Sequence, residues 1–162
     1  MPAEGLSELE FLARYGGIYE ASPWVAEAVW PRVESGQVRG PGELAEAMRA
    51  VVDAAPRDRK LALIRAHPEL ASRARMADAS VREQSGAGLD QCSPEEFEAF
   101  QRLNTAYNAR FGFPFIVAVK GMSRADILAA FEARLANPPD VEFDTALAQI
   151  HRIAAFRLKD LS

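Results

Sequence analysis

The feature that most constrains this chain is a start signal for helices that recurs along its length. Ser93-Pro94-Glu95-Glu96 joins a serine cap, a proline at the first helical position and a glutamate three residues on. The serine hydroxyl then accepts from the third residue's N–H, and the glutamate reaches back to the cap N–H. Ser7 with Glu10 and Ser123 with Asp126 share that spacing. Ser22-Pro23, Pro41 and Pro56 open further helices, and Asp140 is expected to cap the last. Stops fall between them at Gly16-Gly17, His67-Pro68, Gly112 and Asn137-Pro138-Pro139. A residue before proline is pushed out of the α region, and glycine takes the left-handed turn that ends a helix. Residues 1–162 are therefore expected to form an all-α, single compact multi-helix domain of about eight helices.

Apolar spacing agrees with these boundaries. Trp24, Val25, Ala28 and Val29 follow Pro23, while Leu44, Met48, Val51 and Val52 follow Pro41. After Ser93 the expected buried face is Phe97, Phe100, Leu103 or Asn104, Tyr107 and Phe111. Phe113 to Val119 is rich in β-branched and aromatic residues, yet one strand has no partner in such a chain. It reads as a buried extended or short helical connector.

Composition bounds the function classes. With 19 Lys+Arg against 23 Asp+Glu the formal charge is −4, and charges of both signs are interspersed. No basic footprint for nucleic acid or anionic lipid results. The one cysteine, Cys92, cannot form an internal disulfide, which suits a reducing compartment. MPAEGLSELEF has neither the basic n-region nor the apolar h-region of a signal peptide. No apolar run approaches the roughly 20 residues of a membrane helix, and Asp160-Leu161-Ser162 is not a peroxisomal address. Only Lys60, Lys120 and Lys159 are lysine, an arginine bias that hints at a GC-rich bacterial gene. A cytoplasmic protein is expected.

Chemistry-bearing residues are few. Two histidines and one cysteine do not make the three or four N/S ligands of a zinc site, and no nucleotide-binding glycine loop is present. His67 stands where a helix must end, in Ala66-His67-Pro68-Glu69-Leu70. It either meets the orphan carbonyls of that terminus or, aimed by the proline, exchanges protons in a cleft. In the last helix Phe143, Leu147, Ile150, Ala154 and Leu161 make an apolar seam whose missing member is Arg157. A guanidinium there snorkels to the surface, pairs with a core carboxylate, or waits as a fork for a substrate carboxylate. Ser80 through Leu89 is polar and ends in a Gly-rich turn; it is either solvated or lines a cleft through Glu83 and Gln84. Arg110 through Phe115 sets three aromatics around Gly112 and Pro114, either as a packed turn or as backbone amides that read a polar heterocycle.

The order and spacing of these stretches resemble the OHCU decarboxylase family, whose substrate is 2-oxo-4-hydroxy-4-carboxy-5-ureidoimidazoline. The residues that carry the resemblance are Gly17 through Glu27, His67-Pro68-Glu69-Leu70 and Ser80 through Leu89. They continue with Leu103-Asn104-Thr105-Ala106-Tyr107, Arg110 through Val119 and Ile153 through Leu158. The resemblance is weakest from Gly36 to Arg59. It implies an all-helical homodimer that needs no cofactor and no metal and makes (S)-allantoin in the last step from urate. It also implies His67 and Glu83 as the acid/base pair. Pro68, Ser80, Val81, Arg82, Gln84, the backbone of Phe115, Ile116, Val117, Ala118 and Val119, and Arg157 are then the substrate contacts. Some bacterial members are fused to a hydroxyisourate hydrolase, for which these residues leave no room. Two other readings stay open: a helical interaction module on the same scaffold, and an enzyme for another ureido-substituted ring acid.

Overall fold

The structure, a computed structural model, describes residues 5–71 and 78–161. The N-terminal stretch and Ser162, on which the reading of the chain ends partly rests, lie partly outside them. Among the described residues there are eight α-helices, one short 3₁₀ turn (Leu89–Gln91) and no strand. The helices are α1 (Glu8–Tyr15), α2 (Trp24–Glu34), α3 (Pro41–Asp53), α4 (Arg57–Ala66), α5 (Asp78–Gly86), α6 (Pro94–Phe111), α7 (Arg124–Leu135) and α8 (Pro139–Asp160).

The three capping boxes form with both reciprocal hydrogen bonds, at Ser7/Glu10, Ser93/Glu96 and Ser123/Asp126. Gly112 closes α6 at φ 77°, the left-handed conformation its lack of a Cβ permits. Two expected caps are corrected. At α2 the cap position is Pro23, which has no side-chain oxygen to offer, and Ser22 Oγ instead donates to the Glu20 carbonyl at 2.8 Å. At α8 the helix begins at Pro139, whose fixed φ suits a first position, so Asp140 lies inside the first turn rather than capping it.

The chain divides into two compact units. The first holds the residues up to Ala66 together with those from His151 on, and the second runs His67–Ile150. In the first, α1 packs on α2 and α2 on α3, burying Phe11, Val25, Val29, Leu44, Met48 and Val52. In the second, α6 packs on α7 around an aromatic centre. Tyr107 is wholly buried and meets Phe111, Phe113, Phe115 and Phe131, while Phe115 stacks flat on Phe131 at 3.9 Å. Leu103 and Asn104 are both buried in α6, and Phe97 and Phe111 are only half-buried. Residues 113–119 are mostly buried and without regular secondary structure, as their lack of a strand partner predicts. No helix among the described residues is long and apolar enough to cross a membrane.

Candidate active site

In the second unit, α4 having ended at Ala66, His67 is buried at the start of a loop described as far as Ala71. That loop is stitched down by amide side chains. Gln84 from α5 accepts from Ala71 N at 3.0 Å and donates to the Glu69 carbonyl at 3.2 Å. From α6, Asn104 donates to the Leu70 carbonyl, Gln101 to the Ala71 carbonyl and Asn108 to the Glu69 carboxylate, at 3.0, 3.0 and 2.8 Å. Ala71 sits at φ 54°, a left-handed conformation that costs an alanine energy and persists only where its surroundings over-determine it. Five hydrogen bonds from two helices supply that constraint. The loop that carries His67 and the half-buried Pro68 is thus tied down at Glu69, Leu70 and Ala71.

Helix α5 sorts the polar cluster by face. Ser80 and Gln84 are buried and Glu83 is half-buried, as positions i, i+4 and i+3 of one helix face. Val81 is 43% exposed and Arg82 is exposed, so neither side chain shares that face. Gln84 is also committed as a loop clamp through both ends of its amide, a role that its expected assignment as a substrate reader did not include.

The segment Phe115 to Val119 is fixed from beneath. Arg134 lies over the Phe115 ring at 4.3 Å and donates to the Ile116 carbonyl, and Gln149 accepts from Ala118 N at 2.9 Å. Arg134 is itself paired with Glu142 at 2.6 Å, a carboxylate that is 0% exposed. Tyr107 at 2.7 Å and Asn137 at 3.1 Å donate to the same carboxylate. Burial, reinforced by the hydrogen bond to Glu142, pushes the Tyr107 hydroxyl well above the ordinary phenol range, so it stays a donor. A buried carboxylate is tolerable only with its lone pairs satisfied, and three donors satisfy this one.

Arg157 belongs to the first unit and is described with it. Of the apolar seam, Phe143, Leu147, Ile150 and Ala154 are buried and Leu161 is half-buried, and Arg157 is itself buried at 7% exposure. Of the three fates open to it, pairing with a core carboxylate is the one observed. Nη2 meets Glu20 at 3.3 Å, and Nη1 meets the Gly17 and Ile18 carbonyls at 3.3 and 3.4 Å. One helical stretch away, His151 is buried between Tyr19 Oη at 2.7 Å on Nδ1 and Asp53 at 3.0 Å on Nε2. Burial drives the imidazole below the ordinary histidine range, against the pull of Asp53. A neutral ring with its proton on Nε2 fits both contacts, with Tyr19 donating to Nδ1.

The sequence reading missed Glu20, Glu142, Arg134 and the Tyr19–His151–Asp53 chain. Glu142 did carry a signal of the kind that marked Arg157, for it stands four residues before Ala146 on a buried stripe. Among the described residues no group of three or more His, Cys, Asp and Glu side chains has the arrangement of a metal site.

A family model described as OHCU decarboxylase matches residues 4–159. The chain is 45% identical over 155 residues to 2-oxo-4-hydroxy-4-carboxy-5-ureidoimidazoline decarboxylase of Haloferax volcanii, covering 96% of this chain and 90% of that one. It is 44% identical over 149 residues to a uric acid degradation bifunctional protein of Bacillus subtilis, covering 90% of this chain and 29% of that one. Among solved structures, one of (S)-allantoin synthase superposes with a TM-score of 0.78 at 36% identity, over 96% of this chain and 50% of that one.

Proposed function

The chain belongs to the OHCU decarboxylase family, and on that premise we propose that it decarboxylates 2-oxo-4-hydroxy-4-carboxy-5-ureidoimidazoline to (S)-allantoin, the last step from urate. Membership over nearly the whole chain supports the reaction. The buried His67, on a loop that Gln84, Gln101 and Asn104 tie down, supports the assignment of the proton.

Loss of CO₂ leaves an electron pair on carbon, which most decarboxylases hand to a cofactor. In this substrate the electron-poor imidazoline ring takes up that charge itself, so the protein's share of the work is orientation, charge stabilisation and proton delivery. Arg157 anchors an anionic or carbonyl oxygen of the substrate. His67 and Glu83 engage the hydroxyl and bring a proton to one face of the carbon, which makes the product a single enantiomer. Pro68 and Ser80 shape the same site. Val81 and Arg82 contribute through their backbone, since their side chains face solvent. The stretch Phe115 to Val119 offers backbone groups to the ring. The proposal includes one catalytic domain over residues 1–162, a homodimer, and action in the cytoplasm of a bacterium.

The test generates the substrate in situ from urate and follows optical activity. Appearance of (S)-allantoin faster than in the blank, which gives racemic product, is the expected result. A rate equal to the blank overturns the assignment. Light scattering on the eluting protein, with a mass twice that of the 17.7 kDa chain, checks the dimer.

A further inference from the structure

Three contacts of Arg157 fall on one turn, residues 17–22, and that turn is unusual in three ways. It carries a buried carboxylate, Glu20, at 5% exposure. Its next residue, Ala21, sits at φ 45°, a left-handed conformation that alanine rarely adopts. Helix α8 also grips it twice. Arg157 holds the Gly17 and Ile18 carbonyls and the Glu20 carboxylate, while His151 takes the Tyr19 hydroxyl and is backed by Asp53. Within the turn, Ser22 N donates to the Tyr19 carbonyl at 3.1 Å, and Ser22 Oγ donates to the Glu20 carbonyl at 2.8 Å. Strain of this sort persists only where the surrounding contacts over-determine it, and here they hold the residues on both sides of Ala21.

We propose that Glu20 is a positioning residue for Arg157, its carboxylate set by the strained turn so that the guanidinium is aimed for substrate. This rests on the reading of Arg157 as the substrate anchor. A desolvated guanidinium needs an anion, and a neighbouring carboxylate is the partner that fixes its plane as well as its charge. The contacts are nevertheless long. At 3.3 to 3.4 Å all three exceed the ~2.9 Å optimum for N–H···O bonds. Glu20 therefore steers the fork without holding it at full strength, and a shorter charge-assisted bond to a substrate oxygen competes with it. Since Glu20 also cancels part of the attraction for an anion, its benefit lies in geometry, and its loss falls on turnover more than on substrate binding.

The experiment measures kcat and KM, per folded molecule, for wild type, Glu20→Gln, Arg157→Gln and the double variant, with circular dichroism of each. Glu20→Gln is expected to lower kcat by about tenfold, with KM moving less. The double variant is expected to be no worse than Arg157→Gln alone, because the two residues act as one unit. If Arg157→Gln is impaired while Glu20→Gln keeps wild-type kcat and KM, the proposal for Glu20 fails and the anchoring role of Arg157 stands. If Arg157→Gln is itself fully active, the anchoring role fails and the proposal with it. Should Glu20→Gln not fold, Glu20→Asp keeps the charge and withdraws it by one methylene. Lowered kcat at an unchanged melting temperature then supports positioning, and wild-type kcat overturns it.

Discussion

Two buried arginine–carboxylate pairs of this protein differ in their geometry. In the second unit, Arg134 and Glu142 meet at 2.6 Å, and Tyr107 and Asn137 complete the coordination of a carboxylate with no exposed surface. In the first, Arg157 and Glu20 meet at 3.3 Å, and Arg157 reaches the Gly17 and Ile18 carbonyls at 3.3 and 3.4 Å. The short pair, whose carboxylate takes three donors, is a structural clamp that fixes the Ile116 carbonyl and the Phe115 ring, with Arg134 Nη2 left buried without a hydrogen-bond partner. The proposed role of Arg157 requires the long pair to yield to a substrate oxygen.

The sharpest way to break this contrast is to remove one carboxylate. Glu142→Ala leaves Arg134 buried without its partner and is expected to cost about 3–5 kcal/mol, enough to unfold a marginal protein. Urea denaturation followed by circular dichroism measures it, and a loss like that of a surface substitution contradicts the clamp. Tyr107→Phe removes one donor and keeps the ring, so about 1–3 kcal/mol is expected from the carboxylate oxygen left short of a partner. Arg157→Gln is expected to weaken binding or turnover while the helical signal and the melting temperature change little. A stability collapse there would make the two pairs alike.

The smallest effect expected is on acid stability, through His151. Its folded-state affinity for protons is lowered, chiefly by burial. Between that value and an ordinary pKa near 6.5 the unfolded chain binds more protons than the folded one. Its stabilising contribution is therefore complete above about pH 6.5 and is lost as pH falls through that window. His151→Gln is expected to flatten this part of the stability–pH curve, measured as melting temperature from pH 7.5 down to about 5. An unchanged slope would show that His151 is not the group responsible.

What was legible in the sequence was local. Ser7, Ser93 and Ser123 bond within three residues of themselves, so spacing alone reveals them. Ser22 and Asp140 misled because a neighbouring proline occupies the position that the side chain was expected to serve. Arg157 was visible as a charge on an apolar seam, since helical period shows which face a residue shares. Its partner was not, because Glu20 lies 137 residues away in the chain. Tyr107 and Glu142, 35 apart, are hidden for the same reason. The clamping roles of Gln84 and Asn104 stayed out of reach because amides serve a loop and a ligand with the same atoms.

The proposed role of His67 in stereochemistry as well as rate is open to one side-by-side time course. Substrate generated from urate is given to wild type and to His67→Asn, with optical activity followed in both and far-ultraviolet circular dichroism recorded on each protein. Wild type is expected to build the signal of (S)-allantoin. His67→Asn is expected to match the racemising blank with its helical spectrum intact. A fully active His67→Asn would contradict the claim and move the proton to another residue.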